Sequence, residues 1–164
     1  MLEADGAHFL VLTGGMNVQS PWWIFGSPMP VSSMKREDPS FIGRRALDIL
    51  RLMQPKDLAF RELYFHDHSI QVRAATTLPL LYLGGVTSMA GVDQVLGEGF
   101  DAVVLARALL HDPELVNKFA AGTATRSGCT ACNECVATMH TPLGTHCVLR
   151  PLPDPAENQA IAGT

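Results

Sequence analysis

The sequence has little charge of either sign and no cluster of basic residues. Its 164 residues include 12 lysines and arginines against 16 aspartates and glutamates, for a formal net charge of −4. Because a nucleic-acid-binding surface needs concentrated basic side chains, this balance disfavours nucleic acid as a partner. The sequence also lacks an apolar run long enough to span a bilayer and a basic-then-apolar signal peptide. We therefore expect a cytoplasmic protein with no membrane partner.

The composition indicates one folded domain. Hydrophobic residues make up 47% of the chain and charged residues 17%, which is ordinary for an α/β protein. A compact chain of this size buries roughly 70% of its unfolded surface, so a real core is possible.

Glycine follows the most apolar segment of the chain. Residues 78–83 form a continuous apolar run, typical of a buried parallel strand, and the run stops at Gly84 and Gly85. Without Cβ atoms, these residues let the main chain approach a ligand closely. Thr87 or Ser88 can cap the helix that follows, whose free N–H groups favour an anion at the same end.

A second strand is predicted at residues 101–105, and it ends at Ala106 and Arg107. Arginine's planar fork suits a phosphate better than any other side chain. Two consecutive strand ends therefore direct backbone amides and a guanidinium to one place. The last two strands of a (β/α)8 barrel hold a phosphate in this way at the carboxyl end of the sheet.

The chain's four cysteines form the second strong pattern. Cys129, Cys132, Cys135 and Cys147 are spaced C-x2-C-x2-C-x11-C. Because cytosolic proteins rarely carry structural disulfides, this cluster indicates a metal site, with zinc or a [4Fe–4S] cluster as candidates. The alternative is that the four thiols bind nothing.

Four segments closely resemble the C-terminal part of the old yellow enzyme family of FMN-dependent NADH:flavin oxidoreductases: LGGVTS, DAVVLARALLHDPELVNK, CTACNEC and CVLRP. The resemblance includes that family's iron–sulfur branch, typified by 2,4-dienoyl-CoA reductase and trimethylamine dehydrogenase. It is strong over residues 80–150 and weak over residues 16–76.

The resemblance implies a partial (β/α)8 TIM barrel within the α/β class. A strand at residues 8–13 corresponds to the sixth of that barrel, and the two strands described above correspond to the seventh and eighth. Since a full barrel takes about 250 residues, the first five strands are expected to be absent. Residues 1–125 are the barrel part, residues 126–152 the cysteine-rich metal-binding segment, and residues 153–164 a disordered tail.

Three further segments are predicted between the first two strands. Residues 17–39 contain four of the eleven prolines and both tryptophans, so we expect a long loop. Helices are expected at residues 40–53 and 62–76.

The resemblance also implies the cofactors and their sites. The FMN phosphate would be held by the backbone N–H groups of Gly84, Gly85 and Val86 on one side and by Ala106 and Arg107 on the other. Family members often have glycine where Ala106 stands, which a backbone contact tolerates. The cysteines would hold an iron–sulfur cluster, which the family favours over zinc.

The implied reaction is flavin chemistry. FMN reduced by NAD(P)H would pass hydride to the activated C=C bond of a small enone-type substrate. The groups that polarise the substrate come from earlier strands in that family, so no catalytic residue is assigned. We expect the chain alone to be an incompetent reductase that self-associates or needs a complementary barrel chain.

Two other functions stay open at this point. One is a different phosphate-binding barrel enzyme, because the same phosphate grip recurs across many barrels. The other is a non-enzymatic metal-binding or assembly module. A flavin absorbance spectrum of the purified protein would distinguish them.

Overall fold

A three-stranded parallel sheet lies at the centre of the structure. The computed structural model describes residues 5–15 and 20–151. The strands lie side by side in the order β1 (Leu10–Leu12), β2 (Leu80–Leu83) and β3 (Ala102–Val104). Leu10 pairs with Leu80, and Leu81 pairs with Ala102. The predicted parallel strands near residues 8–13, 78–83 and 101–105 are therefore confirmed, and the described residues form an α/β unit.

One face of this sheet carries the main hydrophobic core. Alternate residues of a strand point to the same face, and Leu80 and Tyr82 of β2 are completely buried there. The Tyr82 ring meets Phe100 edge-on, with ring centroids 5.3 Å apart. Helices α4 (His66–Ala75) and α5 (Met89–Gly97) contribute to the same cluster. Helices therefore pack against this face of the sheet.

The long loop predicted at residues 17–39 is wrong for its described part. Residues 17–19 lie outside the described residues, and the rest contains α1 (Pro21–Phe25) and α2 (Val31–Glu37). Pro21 stands in the first turn of α1, where its fixed φ favours a helix. Trp22, Met29 and Val31 are buried against one another, so tertiary packing overrides the weak local pattern.

The helix predicted at residues 40–53 is confirmed as α3 (Phe41–Met53). Ser40 caps it, because its hydroxyl oxygen accepts a hydrogen bond from the Gly43 amide at 3.2 Å. Leu47 and Leu50 pack against the cluster around Trp22. The opposite side of α3 is apolar and open to solvent, including Ile42 at 80% exposure and Leu52 at 85%.

The helix predicted at residues 62–76 is shorter than expected. Residues 62–65 form turns and α4 begins at His66, because Leu63 adopts a left-handed conformation with a φ of 59° that no helix accommodates. Leu63 is nevertheless buried in the main core, which explains its apolar character.

The rest of the described chain is mostly irregular. Three short helices follow β3, namely α6 (Arg107–His111), α7 (Leu115–Ala120) and α8 (Glu134–Ala137), and a 3-10 turn follows at Thr138–His140. The tail predicted to be disordered lies outside the described residues. None of the helices within residues 5–15 and 20–151 is long and apolar enough to cross a membrane.

The outer edge of β1 has no strand partner among the described residues. Val11 on this strand is 42% exposed and the adjacent Phe9 is 56% exposed. Beside them is an open cavity of about 860 Å³, lined by β1 and by apolar side chains that include Trp23 and Val72. An apolar edge strand is a template for pairing with another chain.

We predict that the isolated chain self-associates through β1 and that Val11→Lys weakens this association by about tenfold, because edge lysines repel a second copy. Sedimentation or light scattering across a concentration series measures the effect. The control is Val116→Lys, whose side chain is 53% exposed on α7. Equal association of both variants and the parent would contradict an interface at β1.

Candidate functional site

The turns that follow β2 and β3 meet in one small pocket. Its volume is about 230 Å³, and its lining includes the stretch from Leu83 to Thr87 and the stretch from Val104 to Ala108. The pocket is smaller than the 300–1,000 Å³ typical of a site that encloses a whole ligand. It therefore suits a small group such as a phosphate, with the rest of the ligand outside. All five residues predicted for the phosphate line it: Gly84, Gly85, Val86, Ala106 and Arg107.

The two glycines are required by close packing at the pocket wall. Gly85 has a φ of +77°, which L side chains rarely adopt, and a Cβ there would lie 2.6 Å from the Tyr64 ring. A Cβ on Gly84 would lie 2.9 Å from the Tyr82 hydroxyl oxygen. Any larger residue at either position would push aromatic rings out of place.

Several main-chain N–H groups at the pocket are available to a ligand. Apart from the ladder bonds of the sheet, the N–H groups of Gly84, Gly85, Val86 and Ala106 donate to no backbone carbonyl in the described part of the chain. Amides that lie at the end of a strand and lack an internal acceptor need water or a ligand. An anion is the ligand that such a set of donors favours.

The amino end of α5 is already occupied by a carboxylate of the chain itself. Ser88 caps this helix as predicted, accepting from the Gly91 amide at 3.1 Å. Glu62 Oε1 accepts hydrogen bonds from the Thr87 amide at 2.8 Å and the Ser88 amide at 2.7 Å. The expectation that this helix end offers free N–H groups to an external anion is therefore wrong, because Glu62 already accepts from them.

Glu62 is held in its ionised form. Burial acts to raise the pKa of its carboxyl group, but the hydrogen bonds from Thr87 and Ser88 outweigh burial and lower it. Arg126 adds an ion pair, with its Nη2 atom 3.0 Å from Glu62 Oε2. Arg126 also bridges to Ser88 as a single antiparallel pair, which brings the start of the cysteine-rich segment against α5.

The side chain of Arg107 lies at the pocket but is bound largely by protein groups. Its Nη2 atom donates to the Phe25 carbonyl oxygen at 2.6 Å, and its Nη1 atom donates to Asn133 Oδ1 at 2.5 Å and to Ser27 Oγ at 3.3 Å. The guanidinium also lies 5.7 Å from the ring centroids of Phe25 and Phe60. These hydrogen bonds use three of the five N–H groups of an arginine, and the Tyr64 hydroxyl is a further side-chain partner of the guanidinium.

Tyr64 completes the pocket wall beside Arg107. Its hydroxyl donates to the Ile24 carbonyl oxygen at 2.6 Å. Burial raises the pKa of this hydroxyl, and the nearby Arg107 charge opposes the rise. The tyrosine therefore stays protonated and acts as a neutral wall of the pocket.

The four cysteines follow the pocket but do not converge on one point. Among residues 5–15 and 20–151, no group of three or more His, Cys, Asp and Glu side chains has an arrangement that could hold a metal ion. Burial raises the pKa of the Cys135 thiol; Arg107 opposes this rise, and the three other cysteines add to it. Cys147 Sγ lies 3.5 Å from His111 Nδ1. The donor types fit zinc or an iron–sulfur cluster, whereas this arrangement of them does not.

Sequence reasoning missed the partners that hold the predicted residues in place. Glu62 is separated by 25 residues from Thr87, and no local pattern marks the carboxylate as its partner. Ser27 is separated by 80 residues from Arg107 and lies in the segment predicted as a loop. The sequence pattern also did not predict the left-handed conformation of Ala131 and Asn133, whose φ values are 56° and 61°.

Comparison with known proteins finds one curated relative and no match to any family model or solved structure. The relative is a 4,4'-dithiodibutanoate disulfide reductase of Rhodococcus erythropolis, and the chain is 36% identical to it over 154 residues. That alignment covers 92% of the chain and 37% of the reductase. The chain is therefore a distant homologue of part of an oxidoreductase.

We predict that Glu62→Gln destabilises the protein by about 1 kcal/mol near neutral pH, because the amide loses the charged hydrogen bonds to the end of α5. Since the folded-state pKa of Glu62 is lowered, its contribution is present above the ordinary value of 4.5 and is lost as the pH falls through the folded-state pKa. Thermal unfolding across a pH series measures the difference.

The matched control is Asp93→Asn, which removes an exposed carboxylate from α5, the helix whose amino end Glu62 contacts. A Glu62→Gln variant whose stability deficit persists undiminished at acidic pH would contradict the ionised anchor.

Proposed function

We propose that the chain supplies the phosphate-binding part of the FMN site of an NAD(P)H-dependent oxidoreductase of the old yellow enzyme family. One observation carries the proposal: the turns after two adjacent parallel strands, predicted separately from the sequence, meet in one pocket with unpaired amides and Arg107. The three strands would be the sixth, seventh and eighth of a (β/α)8 barrel. The homologous reductase supports an oxidoreductase without identifying its cofactor.

The pocket residues would bind and orient the cofactor rather than react. The amides of Gly84, Gly85 and Val86 would hold a bound phosphate together with the Ala106 amide and the Arg107 guanidinium. FMN, when bound, would supply hydride transfer between NAD(P)H and a substrate. A phosphate fixed in this way determines where the flavin ring lies, and misplacement by an ångström can lower a rate by about a hundredfold.

The name of the homologous protein specifies a disulfide, so a small disulfide is the first electron acceptor to test. Reduction of a disulfide by NAD(P)H consumes one hydride and one proton and yields two thiols. The family resemblance adds enones as the second class of acceptor. In the family that the chain resembles, the groups that polarise the substrate come from earlier strands, so no residue of this chain is proposed to distinguish the two acceptors.

The cysteine-rich segment is proposed to bind an iron–sulfur cluster or zinc through Cys129, Cys132, Cys135 and Cys147. The sequence pattern and the thiol donors support this, and binding would require the segment to rearrange around the metal. No step of the proposed reaction is routed through such a centre.

The phosphate assignment predicts that Arg107→Ala weakens FMN binding by about tenfold, because a hydrogen bond to a charged group is lost. Riboflavin, which lacks the phosphate, should bind both proteins equally. Flavin fluorescence titration measures both affinities. The control is Arg44→Ala, an exposed arginine of α3. A parent protein that binds FMN no better than riboflavin, or an Arg107→Ala variant with undiminished FMN preference, would disprove the phosphate site.

The metal assignment predicts that protein purified without oxygen contains iron with acid-labile sulfide, or zinc, and that Cys135→Ser lowers the content severalfold. Elemental and sulfide analysis of both proteins measures this. Parent protein free of iron, sulfide and zinc would show that the thiols hold no metal.

A further inference from the structure

The cysteine-rich segment contains a buried amide that none of the proposed chemistry uses. Asn133 lies between Cys132 and Cys135, and only 1% of its surface is exposed. Its backbone is left-handed, with a φ of 61° and a ψ of 7°. Asparagine tolerates this conformation better than most residues, yet the conformation still has an energetic cost that surrounding contacts must offset.

The contacts of Asn133 fix the orientation of its amide. Nδ2 donates to the Ser27 hydroxyl oxygen at 2.8 Å, the Pro28 carbonyl oxygen at 2.8 Å and the Ser27 carbonyl oxygen at 3.2 Å. Two of these three partners are carbonyl oxygens, which only accept, so the NH2 group must face them. The opposite atom, Oδ1, is therefore directed to Arg107 Nη1, at 2.5 Å.

This arrangement gives Arg107 a hydrogen-bond acceptor whose orientation is fixed. An arginine side chain loses much rotamer freedom when it is held in one geometry, and pre-placed acceptors make that loss occur on folding rather than on binding. Asn133 comes from the cysteine-rich segment, whereas Phe25 is the last residue of α1 and Ser27 lies two residues beyond it. The guanidinium is thus held between two separate parts of the chain, at the lining of the pocket.

We propose that Asn133 is a positioning residue for the phosphate site: it holds the Arg107 guanidinium at the pocket, so that the grip on a phosphate depends on a docked cysteine-rich segment. The proposal rests on the phosphate-binding function proposed above. It assigns to the asparagine of CTACNEC a role directed at Arg107 rather than at a metal.

The test measures FMN and riboflavin affinities of the full 164-residue chain and of its variants by fluorescence titration. Asn133→Gly removes the side chain while keeping a residue that accepts the left-handed backbone. The ratio of riboflavin to FMN dissociation constants reports the phosphate contribution alone. We expect Asn133→Gly to lower this ratio by about tenfold and to leave riboflavin affinity unchanged.

A double variant separates positioning from general stabilisation. If Asn133 acts through Arg107, adding Asn133→Gly to Arg107→Ala should cause no further loss of FMN preference. A purely structural asparagine would instead weaken both ligands equally, or reduce FMN preference additively in the double variant, and either result would overturn the proposal. Asn117→Ala, on the surface of α7, is the matched control.

The design also distinguishes failure of the underlying function. Loss of FMN preference in Arg107→Ala but not in Asn133→Gly would reject the positioning role and keep the phosphate site. No FMN preference in the parent would reject both. Should Asn133→Gly fail to fold by circular dichroism, Asn133→Ser takes its place, because a serine side chain ends about where the asparagine Cγ stands and so lacks the oxygen that accepts from Arg107. The same loss of FMN preference is expected, and an unchanged preference would overturn the proposal.

Discussion

β2 is paired with a strand on each side, and these pairings determine the positions of the turns that follow β2 and β3. It hydrogen-bonds β1 along one edge and β3 along the other, in parallel throughout. Because parallel strands end at the same edge of a sheet, the turn at Gly84 and the turn at Ala106 lie next to each other. Complete burial of Leu80 and Tyr82 fixes which face of β2 points inward. The pocket follows from this register.

Two charged side chains of opposite sign, Glu62 and Arg107, make hydrogen bonds within the protein around the pocket. The Glu62 carboxylate accepts from the amides at the end of α5, and Arg107 donates to Phe25, Ser27 and Asn133. The first contact satisfies the helix end internally, so it is not part of the ligand site. The second uses only uncharged acceptors, so these contacts do not neutralise the positive charge of Arg107. In the proposed phosphate site, an anionic ligand would therefore meet the turn after β2 and the start of α6, rather than the amino end of α5.

The sequence predicted the parts of the structure that depend on local pattern. Apolar runs and their glycine ends located β2 and the pocket, and helical periodicity over residues 40–53 located α3. It missed α1 and α2 because their stability comes from the contacts of Trp22, which no periodicity records. It also missed the partners of Arg107, since hydrogen bonds between residues 26 to 82 positions apart leave no local signal.

The long separation between Asn133 and Ser27 has a consequence for the order of folding. Their hydrogen bonds join residues 106 positions apart, whereas the capping bond of Ser88 spans three. Closing a long loop costs more entropy than closing a short one, so distant contacts tend to form after local ones. The cysteine-rich segment should then dock last and release first, as a separate cooperative unit. Backbone amides near Asn133 would exchange with solvent faster than those of β2, although both are buried in the native state.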